Sequence, residues 1–293
     1  MSKDLLLEIG TEEIPAHVMP HLLSDLKRLA GEQLRDQRLS YENLRTIGTP
    51  RRAALIVTGL AERQEDVSTE TRGPSVAIAF DAAGNLTKAG EGFARGQGID
   101  PSALIQRDGY VYASVHEKGA ETAQLLTELL PELIRAIPLP NSMRWGDLDF
   151  RFIRPIRWIV ALYGTEVVPF TLANVTSGNT SRGHRTLAPQ DFVIASPADY
   201  EAACEKAYII VDQERRRAMI TEQIAAVAKD CSGTAEITPD LLEEVLYLVE
   251  YPTALSGSFE EKYLALPAEA VITPMRDHQR YFPVKAEDGS LLP

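Results

Sequence analysis

The sequence predicts an α+β (mixed α/β) protein, because short apolar strands alternate with amphipathic helices along most of its length. The apolar run at 4–9 is typical of a buried strand, and four leucines between positions 22 and 29 share one face of a helix over about 15–34. A second strand follows at 53–61. This strand–helix–strand opening predicts a layered α/β unit. At 293 residues the chain has room for one large domain or two modest ones.

Beyond the second strand, the sequence predicts a charged connection at 62–72 and then a small α/β segment over 73–137. A glycine-rich helix is expected at 88–98, a strand at 109–116 and an amphipathic helix at 121–136. Two prolines soon after the last helix close this segment, because proline does not continue a helix.

The remainder of the chain is predicted to begin with strands over 150–195 and to continue with alternating elements. A strand is expected at 207–211, and helices are expected at 212–230 and 241–251, the last with its acidic side chains toward solvent. The final motif, at 273–284, is expected to be a turn that leads into a strand.

These elements predict three consecutive parts of the chain. Residues 1–61 are expected to form the first part of a core, and residues 62–140 a small α/β subdomain. Residues 141–293 are expected to form the strand-rich remainder of the core with flanking helices. The small subdomain would therefore be inserted in the core or adjoin it.

The composition is that of an ordinary globular protein with an acidic balance, a formal net charge of −12. No apolar run approaches the roughly 20 residues that cross a bilayer, and the first residues lack the features of a signal peptide. No membrane partner is therefore expected. The two cysteines, Cys204 and Cys231, are too few for a disulfide framework or a four-ligand zinc site, and they predict small buried residues in a reducing cytoplasm.

The most informative segment is 144–185, where arginine and tryptophan are concentrated. It holds six arginines, His184 and both tryptophans, Trp145 and Trp158, against three acids. Arginine binds phosphate through paired hydrogen bonds and aromatic rings stack on bases, so the pattern indicates a surface that faces RNA. The alternative from composition alone is a pair of strands whose outward arginines pair with local acids.

Clusters of cations are the candidate contacts to an RNA backbone. Arg51 and Arg52 follow a tight Thr-Pro turn, and Arg182 and Arg185 flank a flexible glycine–histidine pair. The first-rank candidates are Arg51, Arg52, Arg144, Arg154, Arg157, Arg182 and Arg185. The second-rank candidates are Lys88 and Arg95, on one face of the glycine-rich helix, and Arg276 and Arg280, on one face of an extended strand with His278.

The sequence lacks the motifs of several enzyme classes, and it predicts no catalytic residue and no metal site. It has no phosphate-binding P-loop and no nucleophile elbow, and the glycines at 90–98 miss the dinucleotide fingerprint by one residue. His17 and His21 have the spacing of zinc ligands on a helix, but Pro20 lies between them. For Arg215–Arg217, beside acids on a helix, surface salt bridges are the prediction.

Ten motifs occur in order along nearly the whole chain. They are LLLEIGTEEIPA (5–16), TPRRAAL (49–55), RGP (72–74), KAGEGFARGQG (88–98), MRWG (143–146), FIRPIRWIVALYG (152–164), SRGHR (181–185), LLEEVLYLVEYP (241–252), LPAEAVITPMRDHQRYFPV (266–284) and DGSLLP (288–293). Together they resemble the bacterial glycine–tRNA ligase β subunit. A series of this kind is far more specific than any single motif above.

The resemblance implies a fold and a division of labour. The N-terminal part of the family is similar to the B3/B4 module of the phenylalanine enzyme's β subunit, a mixed α/β fold. The family forms an α2β2 hetero-tetramer, in which the α subunit carries glycine activation and binds ATP with magnesium, while β recognises tRNA(Gly) and holds the assembly together. The family's HD-like and anticodon-binding domains are expected to be absent from this sequence. The chain is therefore expected to bind no cofactor and to be inactive alone.

Two other functions stay open. The B3/B4 likeness also implies an editing hydrolase that clears wrongly charged tRNA, with His184 or His278 in its pocket. A purely structural role in subunit interaction would leave the arginines salt-bridged. In that case an acidic helix and nearby aromatic residues, Tyr247 and Tyr251 among them, would supply the interface.

Overall fold

The computed structural model describes residues 2–81 and 84–293, in which strands and helices alternate. Its strands are β1 (Ser2–Thr11), β2 (Asn43–Thr49), β3 (Arg52–Ala61), β4 (Val67–Ser75), β5 (Ile105–Arg107), β6 (Tyr110–Glu117), β7 (Ile156–Tyr163), β8 (Glu166–Val167), β9 (Thr171–Leu172), β10 (Val175–Thr176), β11 (Thr180–Arg182), β12 (Asp191–Val193), β13 (Thr234–Ala235) and β14 (Val284–Lys285). Its α-helices are α1 (Met19–Asp36), α2 (Val76–Ala79), α3 (Lys88–Gly96), α4 (Thr122–Ala136), α5 (Tyr200–Lys206), α6 (Gln213–Asp230), α7 (Pro239–Leu246) and α8 (Ala268–Thr273). Single 3-10 turns cover Ala16–Val18, Pro101–Ala103, Pro197–Asp199 and Glu261–Ala265, and a π-helical turn covers Pro274–His278. These mixed elements confirm the predicted α+β class.

A five-stranded antiparallel sheet, in the order β2-β3-β1-β7-β8, separates the two apolar clusters of the core. β1 lies in its middle and is buried on both faces over most of its length. Alternate side chains of a strand point to opposite faces, so Leu5, Leu7 and Ile9 belong to one cluster and Leu6 to the other. The carboxylate of Glu8 shares the face of Leu6 and is buried with it.

The predicted strand–helix–strand opening is confirmed for β1, α1 and β3, but it omits a strand. β2 lies between α1 and β3 and pairs with β3 from Asn43↔Thr58 to Thr49↔Arg52. Its sequence, NLRTIGT, has only two aliphatic residues, so no apolar run marked it. β1 pairs antiparallel with both β3 and β7, which distinguishes this sheet from a parallel strand–helix–strand unit.

Helices cover both faces of the central sheet. On one face, α1 packs with α4 through the buried leucines of both helices. On the other face, α5 and the segment that follows it supply Tyr200 and Ile209. Pro20 lies in the first turn of α1, where its missing N–H breaks no helix hydrogen bond. No helix in the described ranges, 2–81 and 84–293, is long and apolar enough to cross a membrane.

A three-stranded sheet, in the order β4-β6-β5, forms a small layer with α2 and α3. The predicted connection at 62–72 is wrong from Val67 onward, because β4 begins there and pairs with β6. The outward side chains of β4 include Glu70 and Arg72, which are exposed. A strand with charged outward residues has a sequence as polar as that of a loop. The elements predicted at 88–98 and 109–116 are observed as α3 and β6.

The apolar segment 207–211 is buried except for Tyr208 but is not a strand, contrary to the prediction. The N–H of Ile210 donates to the carbonyl of Glu250 at 2.8 Å. The carbonyl oxygens of Ile210 and Val211 accept hydrogen bonds from Arg216 at 2.5 and 3.4 Å. An arginine side chain and an irregular segment therefore replace the neighbouring strand that the apolar run suggested.

The C-terminal elements also differ from the predictions. The helix expected to 251 ends at Leu246, so Glu250 lies outside it and is buried instead of facing solvent. The motif expected to lead into a strand is helical over Pro274–His278, with the N–H of Gln279 donating to the carbonyl of Pro274 at 3.2 Å. The alternating spacing that would place Arg276 with His278 and Arg280 on one face of an extended strand is therefore lost.

Trp158 lies directly over a glycine of the neighbouring strand. Gly10 of β1 is opposite Trp158 of β7 in the sheet register. A Cβ added to Gly10 would lie 1.9 Å from Cε2 of the indole. The packing of Trp158 on β1 therefore requires glycine at position 10.

We expect the substitution Gly10→Ala to lower the free energy of unfolding by about 1–3 kcal/mol or more, because a methyl group overpacks the buried indole. The matched control is Gly92→Ala in α3, where a Cβ meets nothing within 4 Å. That change should raise stability by about 0.5–1 kcal/mol, since alanine favours a helix interior. Urea unfolding of the two variants measures both effects, and a neutral result for Gly10→Ala would contradict the packing argument.

Candidate nucleic-acid interface

Four charged side chains, Glu8, Arg51, Arg52 and Glu250, form a buried ion cluster where β1 ends and β3 begins. Glu8 and Arg52 have no exposed surface, and the other two are also buried. Nε of Arg52 lies 3.1 Å from Oε1 of Glu250, and Nη1 of Arg52 lies 3.5 Å from Oε2 of Glu8. Nη1 of Arg51 lies 3.6 Å from Oε2 of Glu250. Two positive and two negative groups leave the buried ion cluster without net charge.

The guanidinium of Arg52 is held by partners along its whole edge. Besides its two carboxylate partners, it donates to the hydroxyl of Ser181 at 3.2 Å and to the carbonyl of Arg182 at 2.9 Å. A buried charge is tolerated only when it is paired and its donors are satisfied. These contacts tie β3 to β11, which is more than a hundred residues away in sequence.

The carboxylate of Glu8 is satisfied by hydrogen-bond donors from three other elements. Its Oε1 accepts from the indole N–H of Trp158 and from the hydroxyl of Ser181, the latter at 2.5 Å. Its Oε2 accepts from the hydroxyl of Tyr200 at 2.5 Å. β7, β11 and α5 are therefore fixed to the central strand through one buried carboxylate.

The charges of the buried ion cluster stabilise one another. Burial alone would raise the pKa of Glu250, but the charge of Arg52 and a hydrogen bond from Thr49 hold that pKa below its usual value. Burial alone would lower the pKa of Arg52, but the carboxylates of Glu250 and Glu8 raise it above its usual value. Glu250 and Arg52 therefore stay ionised at neutral pH. Arg51 lies at its edge, and burial lowers its pKa.

The burial of Arg52 does not fit the prediction that it contacts RNA, because a guanidinium with no exposed surface and four partners cannot meet a phosphate in this conformation. Arg51 is also buried, although its Nη1 reaches the carbonyl of Gly183 at 3.5 Å, next to the surface loop. The Thr-Pro turn before these residues presents them to the interior instead of to solvent.

Trp158 lies between the buried ion cluster and the surface. The guanidinium carbons of Arg51, Arg52 and Arg182 lie 5.6, 5.3 and 5.3 Å from the centroid of its ring. Cations are attracted to the face of an indole at such distances. Because Arg52 is buried and Arg182 is partly exposed, the tryptophan connects an interior cation with an outer one.

Four of the predicted cations are linked to one another and form what we call the arginine surface: Arg154, Arg157, Arg182 and Arg185. The loop after β1 joins three of them. The carboxylate of Glu12 pairs with Nε of Arg157 at 3.3 Å and with Nη2 of Arg185 at 2.8 Å. The carboxylate of Glu13 pairs with Nη1 of Arg185 at 2.7 Å. Nε of Arg154 donates to the carbonyl of Glu13 at 3.0 Å. Arg182 lies 3.9 Å from Asp191 and donates to the carbonyl of Arg157 at 3.5 Å.

The other predicted cations lie elsewhere in the protein. Arg144 pairs with Asp149 in the segment before β7, Arg276 pairs with Asp277, and Arg280 pairs with Glu244 of α7. Lys88 and Arg95 are exposed on α3, seven residues apart and so on one side of the helix. These five cations therefore do not belong to the arginine surface.

The two histidines predicted for an editing pocket have different settings. His184 is partly buried, and its Nδ1 accepts hydrogen bonds from the N–H groups of Thr186 and Leu187 at 3.2 and 3.1 Å. That nitrogen therefore already accepts from two backbone groups. His278 is exposed in the π-helical turn.

Arg216 departs from the predicted surface salt bridge. It is fully buried in α6 and donates to the carbonyls of Leu246 and Gly48 at 3.0 and 2.8 Å, besides those after α5. Burial lowers its pKa to about 10, so it remains charged at neutral pH. Its neighbours Arg215 and Arg217 do pair with acids, Glu205 and Glu243, at 2.5 Å.

The cysteines and potential metal ligands add no further site. Cys204 is buried as predicted, but Cys231 is exposed, and both are free thiols. Within residues 2–81 and 84–293, no group of three or more histidine, cysteine, aspartate or glutamate side chains is placed to hold a metal ion.

Sequence reasoning missed the acids that organise this region. Glu8 interrupts an apolar strand that is buried on both faces, and such a residue requires a buried partner, so the signal was present. Glu12 and Glu13 directly follow that strand, but nothing in their spacing showed that Arg157 and Arg185 would meet them. Glu250 was assigned to a helix face, and only the earlier end of α7 turns it inward.

Comparison with known proteins gives a consistent result. The family model described as glycyl-tRNA synthetase beta subunit matches residues 5–293. Over 297 aligned residues, the chain is 50% identical to the glycine–tRNA ligase beta subunits of Desulfitobacterium hafniense (strain Y51) and Syntrophotalea carbinolica, and 48% identical to that of Moorella thermoacetica. Each alignment covers 100% of this chain, and the chain spans 43% of the length of these relatives.

We expect Arg52→Gln to lower the free energy of unfolding by about 3–5 kcal/mol, because it leaves the buried Glu8 without its cation and Glu250 with Arg51 alone. The matched control is Arg185→Gln, which removes an arginine that is 54% exposed; it should cost less than about 1 kcal/mol. Urea unfolding at neutral pH compares the two variants. Equal losses would show that the buried ion cluster contributes no more than a surface pair.

Proposed function

The chain belongs to the glycyl-tRNA synthetase beta subunit family, and on that premise we propose that it is a non-catalytic, tRNA-binding and assembly part of a glycine–tRNA ligase. In this proposal the complex joins glycine to tRNA(Gly) at the expense of ATP, and this chain supplies RNA contacts and subunit architecture. The bond-making groups belong to the α subunit.

The arginine surface carries the proposal. Four guanidiniums from β7, β11 and the adjoining loops lie within one region. Arg182 is held by Trp158 and the buried ion cluster, and the loop after β1 holds the other three. Arginines held on rigid elements make bidentate contacts to phosphate oxygens without first losing much side-chain freedom. Such contacts position an RNA backbone but read no sequence.

The acids of this surface do not oppose the proposal. Arg157, Arg185 and Glu13 are about half exposed and Glu12 is 37% exposed, and exposed ion pairs contribute only about 0–1 kcal/mol each. An RNA phosphate can replace Glu12 or Glu13 at little cost. The carboxylates keep the guanidiniums in place until that exchange.

A purely structural role is the second candidate function, because each cation of the arginine surface has a protein partner at hydrogen-bond or ion-pair distance. In that case the chain would bind only protein. We do not propose the editing activity. Nδ1 of His184 is occupied by two backbone N–H groups, and a site for glycine, the smallest amino acid, excludes larger ones by size.

The remaining parts of the proposal follow from family membership. The partners are the α subunit, which binds ATP with magnesium, a second copy of β in an α2β2 assembly, and tRNA(Gly), all in the cytoplasm. We further propose that the five-stranded sheet with α1 and α4 is the B3/B4-like module, interrupted by the small sheet β4-β6-β5. The antiparallel order and the helices on both faces support this assignment.

We expect the double substitution Arg157→Gln/Arg185→Gln to weaken binding of tRNA(Gly) to the complex of this chain with the α subunit. Each lost phosphate contact should reduce the slope of log K against log salt by about 0.7–0.9. The matched control is Arg28→Gln, which removes an exposed arginine of α1 that pairs with Asp25 and Glu32. Titration of tRNA binding at several salt concentrations measures the slope.

An unchanged slope in the double variant, together with an intact complex with α, would contradict the RNA role of the arginine surface. It would support the purely structural candidate. A variant that no longer assembles with α, but whose RNA affinity is unchanged, would lead to the same conclusion.

We expect Glu12→Gln to strengthen tRNA binding about two- to fivefold at low salt, because one carboxylate neutralises both Arg157 and Arg185. The salt dependence should become steeper. The control is Glu205→Gln, which removes an acid paired with Arg215 on α6. Weaker binding by the Glu12 variant would show that the loop positions the arginines and does not compete with RNA.

A further inference from the structure

The three-stranded sheet β4-β6-β5 has one covered face and one open face. On the covered face, Val111 and Ala113 of β6 have no exposed surface, and α2 packs against β4 and β6 while α3 packs against β4. On the open face, the outward residues alternate with these along the strands. They are Ser68, Glu70 and Arg72 of β4, Tyr110, Tyr112, Ser114 and His116 of β6, and Ile105 and Arg107 of β5.

Two tyrosines in the middle of the open face are each capped by an arginine. Arg72 is opposite Tyr112 in the register, yet its guanidinium lies over Tyr110, 3.5 Å from the ring centroid. Arg107 is opposite Tyr110, and its guanidinium lies over Tyr112 at 4.4 Å. Each arginine side chain therefore lies over the tyrosine diagonal to it on the central strand β6, and the two lean along that strand in opposite directions. The result is a surface layer of alternating rings and guanidiniums, which we call the Arg–Tyr layer.

The Arg–Tyr layer is open to solvent and has a positive excess. Both arginines are exposed, and each tyrosine retains part of its surface. Arg107 pairs with Glu70 at 2.7 Å, whereas among the described residues no carboxylate lies within ion-pair distance of Arg72. In a chain with a formal net charge of −12, this local excess favours an anionic partner.

We propose that the Arg–Tyr layer binds an unpaired segment of RNA, with bases stacked on its rings and guanidinium planes and phosphates on Arg72 and Arg107. Unstacked bases are bound on aromatic side chains and on the planes of arginine side chains. Tyr110 and Tyr112 are two residues apart on one strand, about 7 Å, which leaves room for two bases side by side.

The polarity of the open face favours RNA over a protein partner. Of the outward residues named above, Ile105 alone is aliphatic, and it lies on the edge strand β5. Protein interfaces are also enriched in tyrosine and arginine, but their fully buried centre is largely apolar, whereas the aliphatic side chain of this face lies at its edge. The inference rests on the proposed function for the class of the partner, RNA, but it concerns a surface separate from the arginine surface.

The test compares two probes that differ only in their bases. A seven-nucleotide adenine RNA and an abasic chain of the same length and phosphate number are bound to the whole chain, and fluorescence anisotropy measures both affinities. We expect the adenine RNA to bind about tenfold or more tightly than the abasic chain, since stacking is absent from the latter. Equal affinities would overturn the inference.

Four variants locate the effect. Tyr110→Leu/Tyr112→Leu should remove the preference for bases, whereas Tyr110→Phe/Tyr112→Phe should keep it, because stacking needs the ring and not the hydroxyl. Arg72→Gln should weaken the binding of both probes, because it removes a phosphate contact. The control is Tyr208→Leu, which removes an exposed tyrosine that packs edge-on against Tyr251, far along the chain. It should leave both affinities unchanged.

The outcomes separate this inference from the proposed function. If Arg157→Gln/Arg185→Gln leaves tRNA binding unchanged but the base preference persists and depends on the tyrosine rings, the arginine surface fails and the Arg–Tyr layer stands. If the leucine variant binds RNA normally but no longer associates with the α subunit, the layer is a protein interface and the inference is overturned. Circular dichroism of each variant confirms that the sheet is folded.

Discussion

The buried pairing of Arg52 with Glu8 and Glu250 is the interaction on which the rest of the structure depends. The central strand β1 is buried on both faces, so a carboxylate at position 8 has no route to water. It is stable there only because Arg52, Trp158, Ser181 and Tyr200 converge on it. Each of these partners comes from a different element, so the cluster forms only when β3, β7, β11 and α5 are all in place. A specificity of this kind is a reason to retain buried charges whose net contribution to stability is small.

The same cluster determines where the exposed arginines lie. Arg52 donates to the backbone carbonyl of Arg182, and Arg52 and Arg182 both approach the ring of Trp158. The indole can lie flat on β1 only because position 10 is glycine. Arg182 of the arginine surface is therefore attached to the interior by the backbone of β11 and by one aromatic ring. The other three arginines are held by the loop after β1, through Glu12 and Glu13.

Sequence patterns predicted the elements that have the same apolar face or run along their length. They missed the elements whose burial or hydrogen-bond partners change along the chain. β1, α1, α3, β6, α4 and α6 were predicted because each has one continuous apolar face or run. The segment 207–211 has the composition of a strand, but two of its carbonyls accept hydrogen bonds from Arg216. Its apolar residues are therefore buried without forming a strand. The proximity of Arg154, Arg157, Arg182 and Arg185 was expected from their shared segment, whereas the acids that join them, Glu12 and Glu13, come from the other end of the chain. A contact between such distant positions depends on the sheet order, which local periodicity does not contain.

The arginines of this protein have two different physical roles, and the burial of each side chain decides which role it has. Arg216 and Arg52 give up water for backbone carbonyls and carboxylates, and no phosphate can replace those partners without opening the core. Arg185, Arg157 and Arg72 keep much of their surface in water, where an ion pair contributes little and exchange of one anion for another is nearly neutral. A count of arginines in the sequence mixes these two groups. Under the proposed function, only the exposed group is available to RNA, and its binding would depend on salt, because the partners that RNA displaces are themselves exposed charges.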